Sequence, residues 1–325
     1  MTRAYACLFV LLLALTFVSA PVDAQQDGEE GANSVIPWAY VLNEPTPEGT
    51  EAPDPNEVVT VPGSSISMPR SAININNGPP DWHPDGHPPM PAVVANGGRE
   101  GVVACGYCHL PNGQGKPENA GLAGQPYEYI VQQMVDWRNG RRKTGEPRMG
   151  PPSFMERIGL AANEAEARVA AEYFSSIDFK PWVRVVETDT VPETKFSGWI
   201  HKVVEGGGME PIGTRVVETP EYLHRTELRD DSASFIAYVP TGAVARGESL
   251  VKTAVCTVCH GPELKGLGPV PALAGRSPSY MARQLYDFQT GIRNGAWSDL
   301  MASAVADLTI ADIVDIVSYT ASLEP

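Results

Sequence analysis

The rhythm of apolar and polar positions changes character several times along the chain. Behind Arg3, residues Ala4 to Val18 are mostly apolar, and polar sequence resumes after the small residues Ala20 and Ala24. A bilayer span needs about 20 apolar residues, so this run predicts a secretory signal peptide over residues 1–24. No later stretch is apolar enough to span, and the mature chain is expected to carry no membrane span. Residues 25–90 show no sustained period and are rich in proline, glycine and acids, most clearly in PTPEGTEAPDPNE; they predict an extended arm without a core of its own. Helical spacing appears at Ala167, Ala170 and Ala171, and again at Ile313, Ile316 and Val317. Each set follows an N-cap with a carboxylate three positions on, Asn163 with Glu166 and Thr309 with Asp312. Between them, residues 181–240 turn to short β-branched and aromatic runs, VRVVETDTV, FSGWIHKVV, TRVVET and SFIAYVP, separated by turn material. These predict a small sheet or set of hairpins that bridges the flanking helical units or offers a docking surface.

The helical parts repeat. GQPYEYIVQQMVDWRNGRR from Gly124 matches GRSPSYMARQLYDFQTGIR from Gly275 at an offset of 151, pairing Tyr129 with Tyr280, Gln133 with Gln284 and Asp136 with Asp287. The stretches beginning at Met155 and Met301 then match at an offset of 146. The fold class expected is mainly α, with two tandem domains over residues 91–180 and 241–325 joined by a small β-rich insert.

The cysteines say what the repeated unit binds. Of five, one lies in the leader, and the other four form CGYCH at 105–109 and CTVCH at 256–260, again 151 positions apart. Two thiols two residues apart on a helical turn can each bond one vinyl group of a haem, and the histidine that follows is then held beneath the iron. A redox-active disulfide motif needs no histidine, and structural zinc would need a four-ligand set gathered from two distant pairs. The reading is therefore two covalently bound haem c groups, attached through Cys105, Cys108, Cys256 and Cys259, with His109 and His260 as proximal ligands. The aligned methionines Met155 and Met301, each ahead of a terminal capped helix, are the candidates for the opposite axial position, since a thioether suits iron(II) and raises the potential. Met149 competes with Met155 for the first iron, whereas Met134 aligns with Leu285 and reads as core.

CxxCH, then LAGQ or LAGR, then a Tyr-x-x-x-Gln segment ending in Gly-x-Arg, then a methionine before a terminal amphipathic helix, resembles class I cytochrome c, and most closely the dihaem c4 and c553-like soluble carriers. The resemblance covers about 170 of 325 residues. It implies two small helical domains, each with a His/Met-ligated haem, and electron transfer in the periplasm. The family's proline, whose carbonyl holds the proximal imidazole, is matched by Pro271, but the first unit has Ala120 there. The two haems are accordingly expected to differ in potential.

Charge narrows the partners. The formal net charge is −15, which disfavours nucleic acid and favours a redox protein with a basic face, such as a periplasmic dehydrogenase or terminal oxidase. Two closed irons would make the chain a carrier rather than an enzyme. The alternatives are a dihaem peroxidase with one open iron and a cytochrome subunit of a dehydrogenase complex. Outside the repeat, DWHPDGHPPM offers His83, His87 and Met90 as a conceivable soft-metal set, with loop packing as the plainer reading. His201 and Met209 in the insert are read as surface or packing residues.

Overall fold

The structure, a computed structural model, describes residues 36–325; the expected signal peptide lies outside the described residues. The first helical unit comprises α1 (Ala92–Ala95), α2 (Cys105–His109), α3 (Tyr127–Arg138), α4 (Gly150–Ala161) and α5 (Glu164–Ser175). After the insert and its short α6 (Leu223–Glu227), the second comprises α7 (Ala243–Thr253), α8 (Cys256–His260), α9 (Pro278–Gln289), α10 (Ser298–Val305) and α11 (Ile310–Ser322). Both capping boxes form, with Asn163 and Thr309 accepting from the third residue of α5 and α11 while Glu166 and Asp312 reach back. The spaced residues are the buried faces: Ala167 and Ala171 in α5, and Ile313, Ile316 and Val317 in α11.

The units differ in their first helix. In the second, α7 crosses α11 so closely that a Cβ on Gly247 would sit 2.0 Å from the Asp315 carbonyl oxygen, so only glycine permits the crossing. In the first, the corresponding α1 is a single turn, and Val93 and Val94 fill the core beside Ala171 and Phe174 of α5.

The insert is built into the second unit. Strands β3 (Val183–Thr188), β8 (Val217–Pro220) and β9 (Phe235–Pro240) form a sheet in the order β3-β9-β8, with β3 parallel and β8 antiparallel to β9. Two antiparallel pairs flank it: β4 (Thr190–Pro192) with β7 (Met209–Pro211), and β5 (Thr194–Ser197) with β6 (Ile200–Val203). Ala237 and Val239 of β9 share a core with Ile313, Val314 and Val317 of α11, because a sheet face and a helix stripe must each bury their apolar side against something.

The N-terminal segment departs from the expectation of an arm without a core. Ile36, Trp38, Ala39 and Tyr40 are buried in that same cluster. Further on, the pair β1 (Val58–Val59) and β2 (Met68–Pro69) leads into a second cluster of Val59, Val61, Ile73 and Trp82 around Leu228 of the insert. Proline-rich composition hid these anchors: the apolar residues are few, and their partners lie in distant parts of the chain. Trp82 is tied down further by its Nε1–H, which donates to the Leu228 carbonyl at 2.8 Å.

Candidate haem-binding sites

Each CxxCH sequence folds as one short helix that ends at its histidine. The histidines are then held alike: His109 Nδ1 lies 2.8 Å from the Ala120 carbonyl oxygen and His260 Nδ1 lies 2.8 Å from that of Pro271. A carbonyl only accepts, so Nδ1 carries the proton and Nε2 keeps its lone pair for a metal. Burial lowers the pKa of both imidazoles, offset in part by those carbonyls. The absence of a proline at 120 does not cost the first histidine its hydrogen bond.

His109, Met155, His260 and Met301 all line one cavity of about 690 Å³, with Cys256 and Cys259 at its wall. Its lining is largely apolar, including Leu122, Trp137, Leu273 and Phe288. Cys105 instead packs against the first unit's core, and Cys108 opens to a separate cleft shared with Phe154, Trp199 and Arg229. Met149 takes no part: it is 0% exposed in the core with Ile36, Trp38 and Tyr40. His201 is buried with Nε2 3.0 Å from the Trp38 carbonyl oxygen, and Met209 is 63% exposed on a hairpin; neither reaches the cavity.

The thiols lack the character of a redox disulfide motif. All four are unpaired, and burial pushes Cys105 up to about 12 while raising Cys108 and Cys256, the opposite of the lowered values that activate such cysteines. Among the described residues the cysteines form no close cluster with other metal-ligating side chains, which speaks against zinc.

Between the units runs a polar seam that the repeat foreshadows without revealing its purpose. Arg142 donates to Gln133 at 2.9 Å in its own unit and to Tyr280 and Gln284 of the other at 2.8 and 2.9 Å. Arg293, 151 positions later, mirrors it, donating to Gln284, Tyr129 and Gln133 at 3.0, 3.1 and 2.8 Å. A second reciprocal pair holds the loops behind the histidines. Gln125 bonds both the N–H and the carbonyl of Ala272, next to Pro271, each at 3.0 Å. Its aligned counterpart Arg276 donates to the carbonyls of Gly121 and Ala123, beside Ala120, each at 2.9 Å. Burial pulls Arg276 down to about 9, which still leaves it cationic at neutral pH. Its Nε–H has no acceptor among the described residues; an orphaned donor on the wall of an apolar cavity fits a flat, largely apolar cofactor that brings its own carboxylates, as haem does. The equal offset of Arg142 and Arg293 was the available sign of the seam, but not of its pairing across the units.

A helical fold with two CxxCH turns, each ending in an imidazole held by a backbone carbonyl, is that of a c-type cytochrome. The family model for Cytochrome c matches residues 244–324. Cytochrome c4 of Azotobacter vinelandii is 30% identical over 235 residues, which is 70% of this chain and 89% of that protein. A thiosulfate dehydrogenase electron acceptor of Stutzerimonas stutzeri is 35% identical over 80 residues, 24% of this chain and 35% of its own. The crystal structure of reduced recombinant cytochrome c4 from Pseudomonas stutzeri aligns with 68% of this chain and 93% of its own, at 22% identity and a TM-score of 0.44. The chain belongs to the cytochrome c4 family. It is an electron-transfer protein rather than an enzyme, and its cofactors are two covalently bound haem c groups. No helix among the described residues is long and apolar enough to cross a membrane.

Proposed function

We propose that this protein is an exported dihaem carrier that passes electrons between periplasmic redox proteins. Cys105, Cys108, His109 and Met155 would hold one haem, and Cys256, Cys259, His260 and Met301 the other. When bound, each haem iron supplies one-electron exchange between its ferric and ferrous states. The chain's part is to hold: the Ala120 and Pro271 carbonyls orient the imidazoles, the thioethers of Met155 and Met301 would supply the second protein ligand to each iron, and the apolar lining would exclude water. A closed iron exchanges electrons and does not admit peroxide, which is why the peroxidase alternative is not adopted. The observation that carries this reading is the convergence of both aligned histidines and both aligned methionines on one cavity. It also favours Met155 over Met149, whose side chain is committed to the core.

The leader-like residues 1–24 support export, and the net charge of −15 suits a partner with a basic docking face. Similarity to a thiosulfate dehydrogenase electron acceptor favours a dehydrogenase as the donor, whether met transiently or bound as a subunit. Visible and near-infrared spectra of the haem-loaded mature protein test the assignment. Two equivalents of methionine-to-iron charge-transfer absorption per chain, unchanged by peroxide, are expected. A single equivalent, with the other haem shifting on peroxide, would overturn it.

A further inference from the structure

The junction between the N-terminal segment and the insert gathers a second set of ligand-type side chains, outside the haem cavity. His83 Nε2 lies 3.1 Å from Asp230 Oδ1 and 3.9 Å from Asp231 Oδ1, and one donor atom from each of the three falls within 4.8 Å of the others. Four ligands around zinc with bonds of about 2.0 Å stand about 3.3 Å apart, so these atoms are already near ligand spacing. The two aspartate side chains are 0% and 3% exposed. Asp230 is oriented by its neighbours: Arg225 Nε donates to Oδ2 at 2.7 Å, and the backbone N–H and hydroxyl of Ser232 donate to Oδ1 at 2.9 and 2.7 Å. Asp231 Oδ1, by contrast, is buried, faces the cluster and accepts no hydrogen bond from the described residues. A buried carboxylate oxygen in that position, without a hydrogen-bond partner, carries a desolvation cost. The contact of His83 with Asp230 leaves this oxygen unanswered; a cation at the centre would answer all three.

We propose that His83, Asp230 and Asp231 bind a divalent cation of the zinc class, pinning the N-terminal segment to the insert. One imidazole and two carboxylates suit a borderline cation better than a soft one. The fourth position falls to water, since His83 is partly open to solvent. The set is not the His83, His87 and Met90 trio that the local sequence offers: His87 turns its Nε2 to Asp81 at 3.2 Å and lies 2.9 Å from the Tyr173 hydroxyl, and Met90 packs in the first unit's core. The site adjoins the first haem domain, because Asn112, three residues after His109, donates to the Asp231 carbonyl at 2.6 Å.

The test is calorimetric titration of Zn²⁺ into the haem-loaded, chelator-stripped mature protein, in wild type and in the Asp231→Asn and His83→Gln variants. One equivalent is expected to bind the wild type, with affinity lowered about tenfold or more in either variant and the haem absorption unchanged. No binding by the wild type, or equal binding by both variants, overturns the proposal. Zinc-edge X-ray absorption of the loaded wild type needs no variant to fold: one imidazole with oxygen neighbours supports the assignment, and sulfur or several imidazoles rejects it.

Discussion

The two helical units share a duplicated sequence and are held in unlike ways. Behind His109 the loop carrying the Ala120 carbonyl is gripped by a buried guanidinium, Arg276, that belongs to the second unit. Behind His260 the loop carrying Pro271 is gripped by a neutral amide, Gln125, from the first. Each unit thus supplies the support for the loop behind the other's CxxCH histidine, and only one support is charged. The surroundings diverge as well. The first CxxCH helix is covered by the insert, where Arg229 stacks 3.8 Å over Tyr107 and donates to its carbonyl at 2.7 Å. On the second, Val258 is 69% exposed and Cys259 is also exposed. Duplication supplied two equivalent chemical sites, and the contacts made around them set the two apart.

The sharpest way to break the comparison is at the two methionines that line the cavity. Met155→Ala is expected to remove about half of the methionine-to-iron charge-transfer absorption and to lower one reduction potential, as Met301→Ala does for the other half. Met149→Ala should leave the absorption intact and destabilise the fold by about 2–5 kcal/mol, the usual cost of emptying a buried methionine site. Absorption spectra with thermal melts separate the two effects, and loss of the band in Met149→Ala would reverse the assignment.

Next comes the asymmetric support. A buried cation near the first site disfavours the more positive ferric state and raises that potential. Replacing it by its neutral counterpart, Arg276→Gln, is expected to lower the first haem's potential by roughly 50–100 mV, from Coulomb's law at an effective dielectric of about 20. The second haem, although in the same unit as the substitution, should move much less. Redox titration with haem-resolved NMR decides this, and a shift confined to the second haem contradicts the crossed arrangement.

A third difference lies where α9 begins. Its cap, Ser277, donates to Glu218 of β8 at 2.7 Å, and the Ser279 N–H reaches the same oxygen at 3.2 Å; α3 in the first unit has no side-chain cap. Burial pushes Glu218 up to about 7 against those donors, and its Oε1 has no partner. With the folded-state pKa above the unfolded value of about 4.5, the folded protein holds the proton longer, so stability falls as pH rises across that window. Glu218→Gln should flatten this slope and, at pH 8, stabilise the protein by up to about 3 kcal/mol. Denaturant melts at pH 5 and pH 8 measure it; an equal slope in wild type and variant removes Glu218 as the cause.

The chemistry was legible in the sequence because it is local. A CxxCH turn carries its own geometry, a capping box spans four residues, and both recurred at matching offsets, so both CxxCH helices and both capped helices could be placed from spacing alone, with the cysteines, histidines and aligned methionines as candidates for holding haem. The β-type insert also announced itself through its β-branched runs, though not the parallel pairing of β3 with β9 or their burial against α11. The N-terminal segment was misread as lacking a core, since Trp82 and Tyr40 complete their packing only with residues 146 and 247 positions away. The same limit hid the metal-type cluster, where His83 meets Asp230 across 147 positions. It hid the crossed supports as well, because alignment pairs Gln125 with Arg276 yet cannot say that each reaches into the other's domain. Sequence determined what each unit can bind, through contacts within a few residues. Tertiary structure alone decided that Met149 is buried in a core while Met155 lines the cavity, and which charge stands behind which histidine, because burial and long-range hydrogen bonds depend on which distant segments come to share a core.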